Sequence, residues 1–66
     1  MNLLQIHYFL TTVDCLSFTQ AADLLYITQP ALSRQITAIE KELNLQLFVR
    51  TSRAVKLTPA GQALYE

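Results

Sequence analysis

One cysteine, one histidine and one glycine in 66 residues close off several chemistries at once. Cys15 has no partner for an internal disulfide, and with His7 as the only histidine the chain cannot assemble a metal site. There is no Gly-rich loop to cradle a phosphate, no paired carboxylates and no nucleophile with a base beside it. An enzyme is therefore the least favoured reading, and no cofactor is expected. Although 52% of the residues are hydrophobic, no apolar run approaches the ~18 residues that crossing a bilayer needs. The opening MNLLQIHY lacks the basic stretch of a secretory signal, so the chain reads as cytoplasmic with no membrane partner. At this length there is room for one domain, burying ~60% of its unfolded surface, which suits a binding module better than a deep catalytic pocket.

An excess of positive charge is also missing: five Lys and Arg balance five Asp and Glu. This is the main argument against a nucleic-acid partner. The distribution weakens it. Residues 1 to 33 hold Asp14 and Asp23 and no Lys or Arg, whereas Arg34, Lys41, Arg50, Arg53 and Lys56 all follow, accompanied only by Glu40, Glu42 and Glu66. A basic strip can run from residue 34 across residues 50 to 56 while the first half stays apolar and acidic.

What is present is concentrated in residues 18 to 36, FTQAADLLYITQPALSRQI. Phe18, Ala21, Ala22 and Leu25 fall on one side of a helix, and Leu32, Ile36, Ile39 and Leu43 repeat the pattern, so two helices bury stripes against a common core. Thr28 can cap the second helix, and Pro30 sits in its first turn, where a missing N–H costs nothing. With that stripe inward, Pro30, Arg34, Thr37 and Lys41 point outward, Ser33 lies on the flank and Gln29 projects from the leading end. A helix entering the major groove reads bases with its N-terminal residues: Gln pairs with adenine, Arg with guanine, Ser with either. Gln29, Ser33 and Arg34 supply one of each.

Another helix precedes this pair. Asn2 and Gln5 have capping-box spacing, and Leu3, Ile6, Phe9, Leu10 and Val13 follow at helical period as an expected inward stripe. Ser17 and Gln20 repeat the cap spacing at the start of the second helix, so the Ser17 hydroxyl is a cap and not a nucleophile. Beyond the third helix, Asn44 is suited to a left-handed helix stop. Leu47 to Val49 then predict a short strand, Thr51 to Ala54 a turn, and Val55 to Leu57 a returning strand. Attached to a helix-turn-helix, that hairpin is a wing able to lay Arg50, Arg53 or Lys56 on phosphates or in a minor groove. Thr58 and Pro59 open a last helix.

The segments Tyr8-Phe9, SFTQAADLL, TQPALSRQI, IEKELN, LFVRTSR and KLTPAG together resemble the N-terminal DNA-binding domain of the LysR-type transcriptional regulators over nearly the whole chain. Leu16, Asn44 and Ser52 stand where such proteins often carry Gly, and Leu4 and His7 where Arg is common. The resemblance implies a mainly α fold with a small β-hairpin: a winged helix-turn-helix with a three-helix core, a wing and the start of a linker helix. Residues 1–58 would form the DNA-binding domain and 59–66 the start of a dimerisation helix. It implies that Gln29, Pro30, Ser33 and Arg34 face bases and that Arg50 and Arg53 belong to the wing; Thr28, Thr37 and Lys56 complete the expected backbone-contacting set. The partners expected are double-stranded DNA, a second subunit in the complete protein, and a small-molecule effector held by a C-terminal domain outside this chain.

Pro59 to Glu66 offer only Ala60, Ala63, Leu64 and Tyr65 as apolar surface, short of the ~1,000 Å² of a stable interface, so the chain by itself is expected to be a monomer or weak dimer. The rival reading, a winged helix used as a protein-interaction module, is favoured by the neutral charge. It is disfavoured by the polar face from Thr28 to Thr37, where such a helix would show exposed Leu, Phe or Trp anchors.

Overall fold

A computed structural model describes residues 1–51 and 54–66, so the wing's turn type and Arg53 lie outside the described residues. Three helices, α1 (Leu3–Cys15), α2 (Phe18–Leu25) and α3 (Gln29–Leu43), are followed by strands β1 (Phe48–Arg50) and β2 (Val55–Leu57) and by α4 (Pro59–Tyr65). The helical starts are where the capping chemistry put them. The Asn2 side chain accepts from the Gln5 amide while the Gln5 side chain accepts from that of Asn2, a complete capping box. Ser17, Thr28 and Thr58 each accept from the amide three residues on, and Pro30 and Pro59 occupy first-turn positions.

All three long helices stop at a residue in the left-handed conformation, and none of the three is glycine: Leu16 (φ 48°), Tyr26 (φ 58°) and Asn44 (φ 54°). After α2 and α3 the chain closes a Schellman turn, with Ile27 N–H donating to the Ala22 carbonyl and Leu45 N–H to that of Glu40, each at 3.1 Å. These bonds satisfy carbonyls that the helix leaves free and hold the unfavourable φ.

The core is assembled from Phe9 of α1, Phe18, Ala21 and Ala22 of α2, Leu32, Ile36 and Ile39 of α3, and Leu47 and Phe48 at the start of the hairpin. Phe48 packs between Phe9 (ring centroids 5.6 Å apart) and Phe18 (5.7 Å, edge-on), so the hairpin is seated on the helices by an aromatic contact. The α3 stripe is buried as expected, with Leu43 at its margin.

The α1 stripe is different. Phe9 and Val13 face the core, but Leu3 is 84% exposed and Ile6 and Leu10 are more than a third exposed, outside the core cluster. The inward arc is centred on Phe9 and Thr12, with Tyr8 and Cys15 packed beside it. Thr12 tolerates full burial because its hydroxyl donates to the Tyr8 carbonyl one turn back, at 2.8 Å, and so needs no other partner. Apolar residues all round α1 leave the inward side undetermined by periodicity alone.

The hairpin is antiparallel, with Phe48 opposite Leu57, Val49 opposite Lys56 and Arg50 opposite Val55. Its first strand begins one residue later than the apolar run suggests. Leu47 stays outside the ladder, and its amide and that of Phe48 both donate to Glu40 Oε2 of α3, at 2.8 and 3.2 Å. At the other end the Thr58 amide donates to the Leu47 carbonyl and the Thr58 hydroxyl to that of Gln46, which ties the start of α4 to the start of β1. Gly61 is required by this junction: a Cβ there would strike the Leu47 carbonyl oxygen and fall 2.6 Å from Leu57 Cδ1.

Candidate nucleic-acid interface

α3 has two unlike faces. Leu32, Ile36 and Ile39 lie wholly in the core, and Pro30, Arg34, Thr37 and Lys41 are exposed on the opposite side, as the 3.6-residue period requires. The exposed side is held rigidly, since each buried stripe residue fixes the rotation of the helix about its axis. Ser33, Arg34, Thr37, Ala38 and Lys41 line a shallow concavity along it. Thr28, expected on the phosphate backbone, is exposed and also caps the helix, its Oγ1 accepting from Ala31 N–H at 3.3 Å.

Gln29 and Ser33 do not project freely. They are half-buried, and Gln29 Nε2 donates to Ser33 Oγ at 3.0 Å, one helical turn apart. Arg50 reaches the same hydroxyl from the hairpin, its Nη1 donating at 2.9 Å, while its guanidinium carbon stands 3.8 Å from the centroid of the Phe18 ring. The structure thus turns Arg50 toward α2 and α3. A signal for this lies in the strand period: Arg50 shares a side of β1 with Phe48, the side that packs on the helices. Lys56 is exposed on β2. Arg34, Lys41 and Lys56 take part in no ion pair among the described residues, where the N-terminal ammonium and Glu42 form the one that is present.

Two residues gave little warning of their place. Tyr26, at the corner between α2 and α3, is 95% exposed in its left-handed conformation, with nothing in its residue type to announce either property. Glu40 stands in the sequence only as one of three acids among the later cations, yet its carboxylate receives the two amides that lead into the wing.

The order α1–α2–α3–hairpin, with a polar, cation-bearing α3 face beside the hairpin, is matched over residues 3–62 by the family described as bacterial regulatory helix-turn-helix protein, lysR family. The chain belongs to this family. Among its relatives, the nitrogen assimilation regulatory protein nac of Escherichia coli (strain K12) is 52% identical over 98% of this chain and 21% of its own length. The HTH-type transcriptional regulator BenM of Acinetobacter baylyi is 52% identical over the whole chain and 22% of its own length. The crystal structure of the BenM DBD/catB site 1 DNA complex superposes with a TM-score of 0.93 over 98% of this chain and 73% of that one. Full-length CbnR complexed with its target DNA, 34% identical, also gives 0.93, over 98% of this chain and 23% of that one. The chain spans about a fifth of the length of the curated relatives it matches. Those relatives are transcriptional regulators, and among the described residues no helix is long and apolar enough to cross a membrane.

Proposed function

We propose that this chain is the sequence-specific double-stranded DNA-binding domain of a bacterial transcription regulator, with the leading half of α3 in the major groove and the hairpin as a wing on the adjoining backbone or minor groove. The observation that carries the reading is the α3 face itself: exposed, polar, fixed by three buried side chains and bearing a guanidinium with no ion-pair partner among the described residues. The DNA complexes of its structural relatives support it. Gln29, Pro30, Ser33 and Arg34 are assigned to base edges. Thr28, Thr37, Arg53 and Lys56 are assigned to the backbone, with Arg50 beside them at the seam between wing and helix. Nothing in the site calls for a catalytic step, and the domain acts in the cytoplasm, where its DNA lies. In the complete protein the helix beginning at Pro59 leads into a dimerisation element, and a small-molecule effector binds outside this chain. A mobility-shift assay against a randomised duplex pool tests the reading; equal retention of every sequence would refute it.

Base contacts and phosphate contacts differ in what their loss does. If Arg34 makes a two-pronged contact to guanine, Arg34→Ala should cost ~1–3 kcal/mol on the preferred duplex and flatten the preference at one base position. A loss equal on every sequence would make Arg34 a phosphate contact instead. Lys56→Ala should weaken all duplexes alike and lower the slope of log affinity against log salt by ~1. An unchanged slope would remove Lys56 from the backbone interface.

A further inference from the structure

We infer that Arg50 is a positioning residue for base readout: by occupying Ser33 Oγ while stacked on Phe18, it sets which hydrogen-bonding groups Ser33 and Gln29 present to the DNA. The inference rests on the reading of α3 as the DNA-reading helix. A hydroxyl oxygen has two lone pairs and one hydrogen. In this structure both lone pairs of Ser33 Oγ are engaged, one by Gln29 Nε2 at 3.0 Å and one by Arg50 Nη1 at 2.9 Å. The Ser33 O–H has no acceptor among the described residues. Ser33 therefore approaches DNA as a donor, suited to guanine O6 or N7, thymine O4 or adenine N7, and closed to the amino groups of adenine and cytosine. Gln29, with one N–H committed to Ser33, is left with its carbonyl oxygen as an acceptor and one further N–H.

The guanidinium can do this because it performs two tasks at once. Its face lies 3.8 Å from the centroid of Phe18, a ring that is itself 5% exposed and wedged against Phe48. Its edge donates to Ser33, seventeen residues away in sequence. A planar fork serves both directions, whereas an ammonium is a single point that cannot stack on the ring and reach the hydroxyl together. Remove that second donor and Ser33 Oγ regains a lone pair able to accept from a base amino group, and the hydroxyl that Gln29 donates to is no longer held from the hairpin side. The coupling joins the wing to the reading helix: the rotamer of a hairpin residue determines what the helix offers a base that the hairpin residue does not touch.

Arg50→Lys separates this role from a phosphate contact, because lysine keeps the charge and serves a phosphate well. The 66-residue chain and its variants are compared on a duplex selected from a randomised pool and on its single-base substitutions, with Ser33→Ala identifying the base position that Ser33 reads. Because lysine keeps the cation, Arg50→Lys should leave the salt slope unchanged, and any loss of affinity for unrelated duplex should be smaller than the loss for the selected one. The same substitution should reduce discrimination at the Ser33 position by about 3–10-fold, the size of one hydrogen bond. In a Ser33→Ala background it should change discrimination no further. Discrimination kept intact by Arg50→Lys overturns the inference, as does a reduction of the same size in the Ser33→Ala background. Thermal melts accompany each variant, so that a loss of discrimination is read only from chains as fully folded as the parent. A parent chain with no sequence preference at all would refute the DNA-reading assignment of α3 itself, a result distinct from a preference that Arg50→Lys does not touch.

Discussion

Leu32→Ala should destabilise the chain by ~2–5 kcal/mol through lost transfer energy and the cavity left behind. Leu32 is wholly buried in the second turn of α3, in one core cluster with Phe18, Ala21 and Ile36, where α2 and α3 meet. The site has little freedom to collapse, because α2 and α3 are joined by a short corner whose Schellman turn fixes their approach. A domain of this size has a total stability of roughly 3–10 kcal/mol, so the variant should lose a large share of its folded population. The melting midpoint should fall by ~10 °C or more. Arg34→Ala, two residues on and facing the other way, should shift stability by no more than ~0.5 kcal/mol. A Leu32→Ala midpoint within two or three degrees of the parent would mean that α3 is rotated relative to the register described, and the outward set of Pro30, Arg34, Thr37 and Lys41 would fall with it.

How far the sequence predicts the fold depends on which physical signal each element carries. α2 and α3 are legible because each has a single apolar stripe and a hydroxyl at the first position, and Asn44 is one of the few residue types at ease in a left-handed stop. α1 is legible as a helix but not in its rotation. Leu3, Leu4, Ile6, Phe9, Leu10 and Val13 surround the axis, and the side that packs is chosen by Phe9 and by Thr12, a polar residue that its own helix satisfies. Leu16 and Tyr26 stop helices without carrying any local preference for doing so; after Tyr26 the left-handed stop is closed by the Ile27 N–H on the Ala22 carbonyl.

The site divides in the same way. Arg34, Thr37 and Lys41 follow from helical period alone, since exposure on the face opposite a buried stripe is a matter of angle. The cluster of Gln29, Ser33 and Arg50 does not: Gln29 and Ser33 meet one turn apart on α3, but Arg50 reaches Ser33 across seventeen residues, a contact that exists only after Phe48 has seated the hairpin against Phe18. Strand alternation contains half of this result, placing Arg50 on the side of Phe48; the other half, that Phe18 and Ser33 lie beneath it, needs the docked structure. Neutral net charge is likewise a poor guide to the face, because the cations are gathered after residue 33 and the described face shows Arg34, Lys41 and Lys56 outside any ion pair.

Glu40 carries the second large effect, and the expected outcome differs sharply between two substitutions. Both amides that lead into β1, those of Leu47 and Phe48, end on one oxygen of this side chain, and both residues are buried, so neither N–H has ready access to water. Glu40→Ala removes the acceptor and strands two donors, each costing ~1–3 kcal/mol, for a total loss of ~2–4 kcal/mol with part of the segment still able to relax toward solvent. Glu40→Gln keeps a carbonyl oxygen of the same reach and gives up only the charge assistance, so its loss should be no more than ~1–2 kcal/mol. Denaturant unfolding of the two variants beside the parent measures the difference. The damage should also be local: hydrogen exchange at Leu47 and Phe48 should rise in the alanine variant before exchange in α2 does, because the two amides bind this segment to α3 while the Phe48 ring still wedges it against α1 and α2. Equal stability of the alanine and glutamine variants would show that Glu40 does not anchor the wing. The Arg50 contact would then depend on the aromatic packing of Phe48 and on the junction of Thr58 and Gly61 with Leu47.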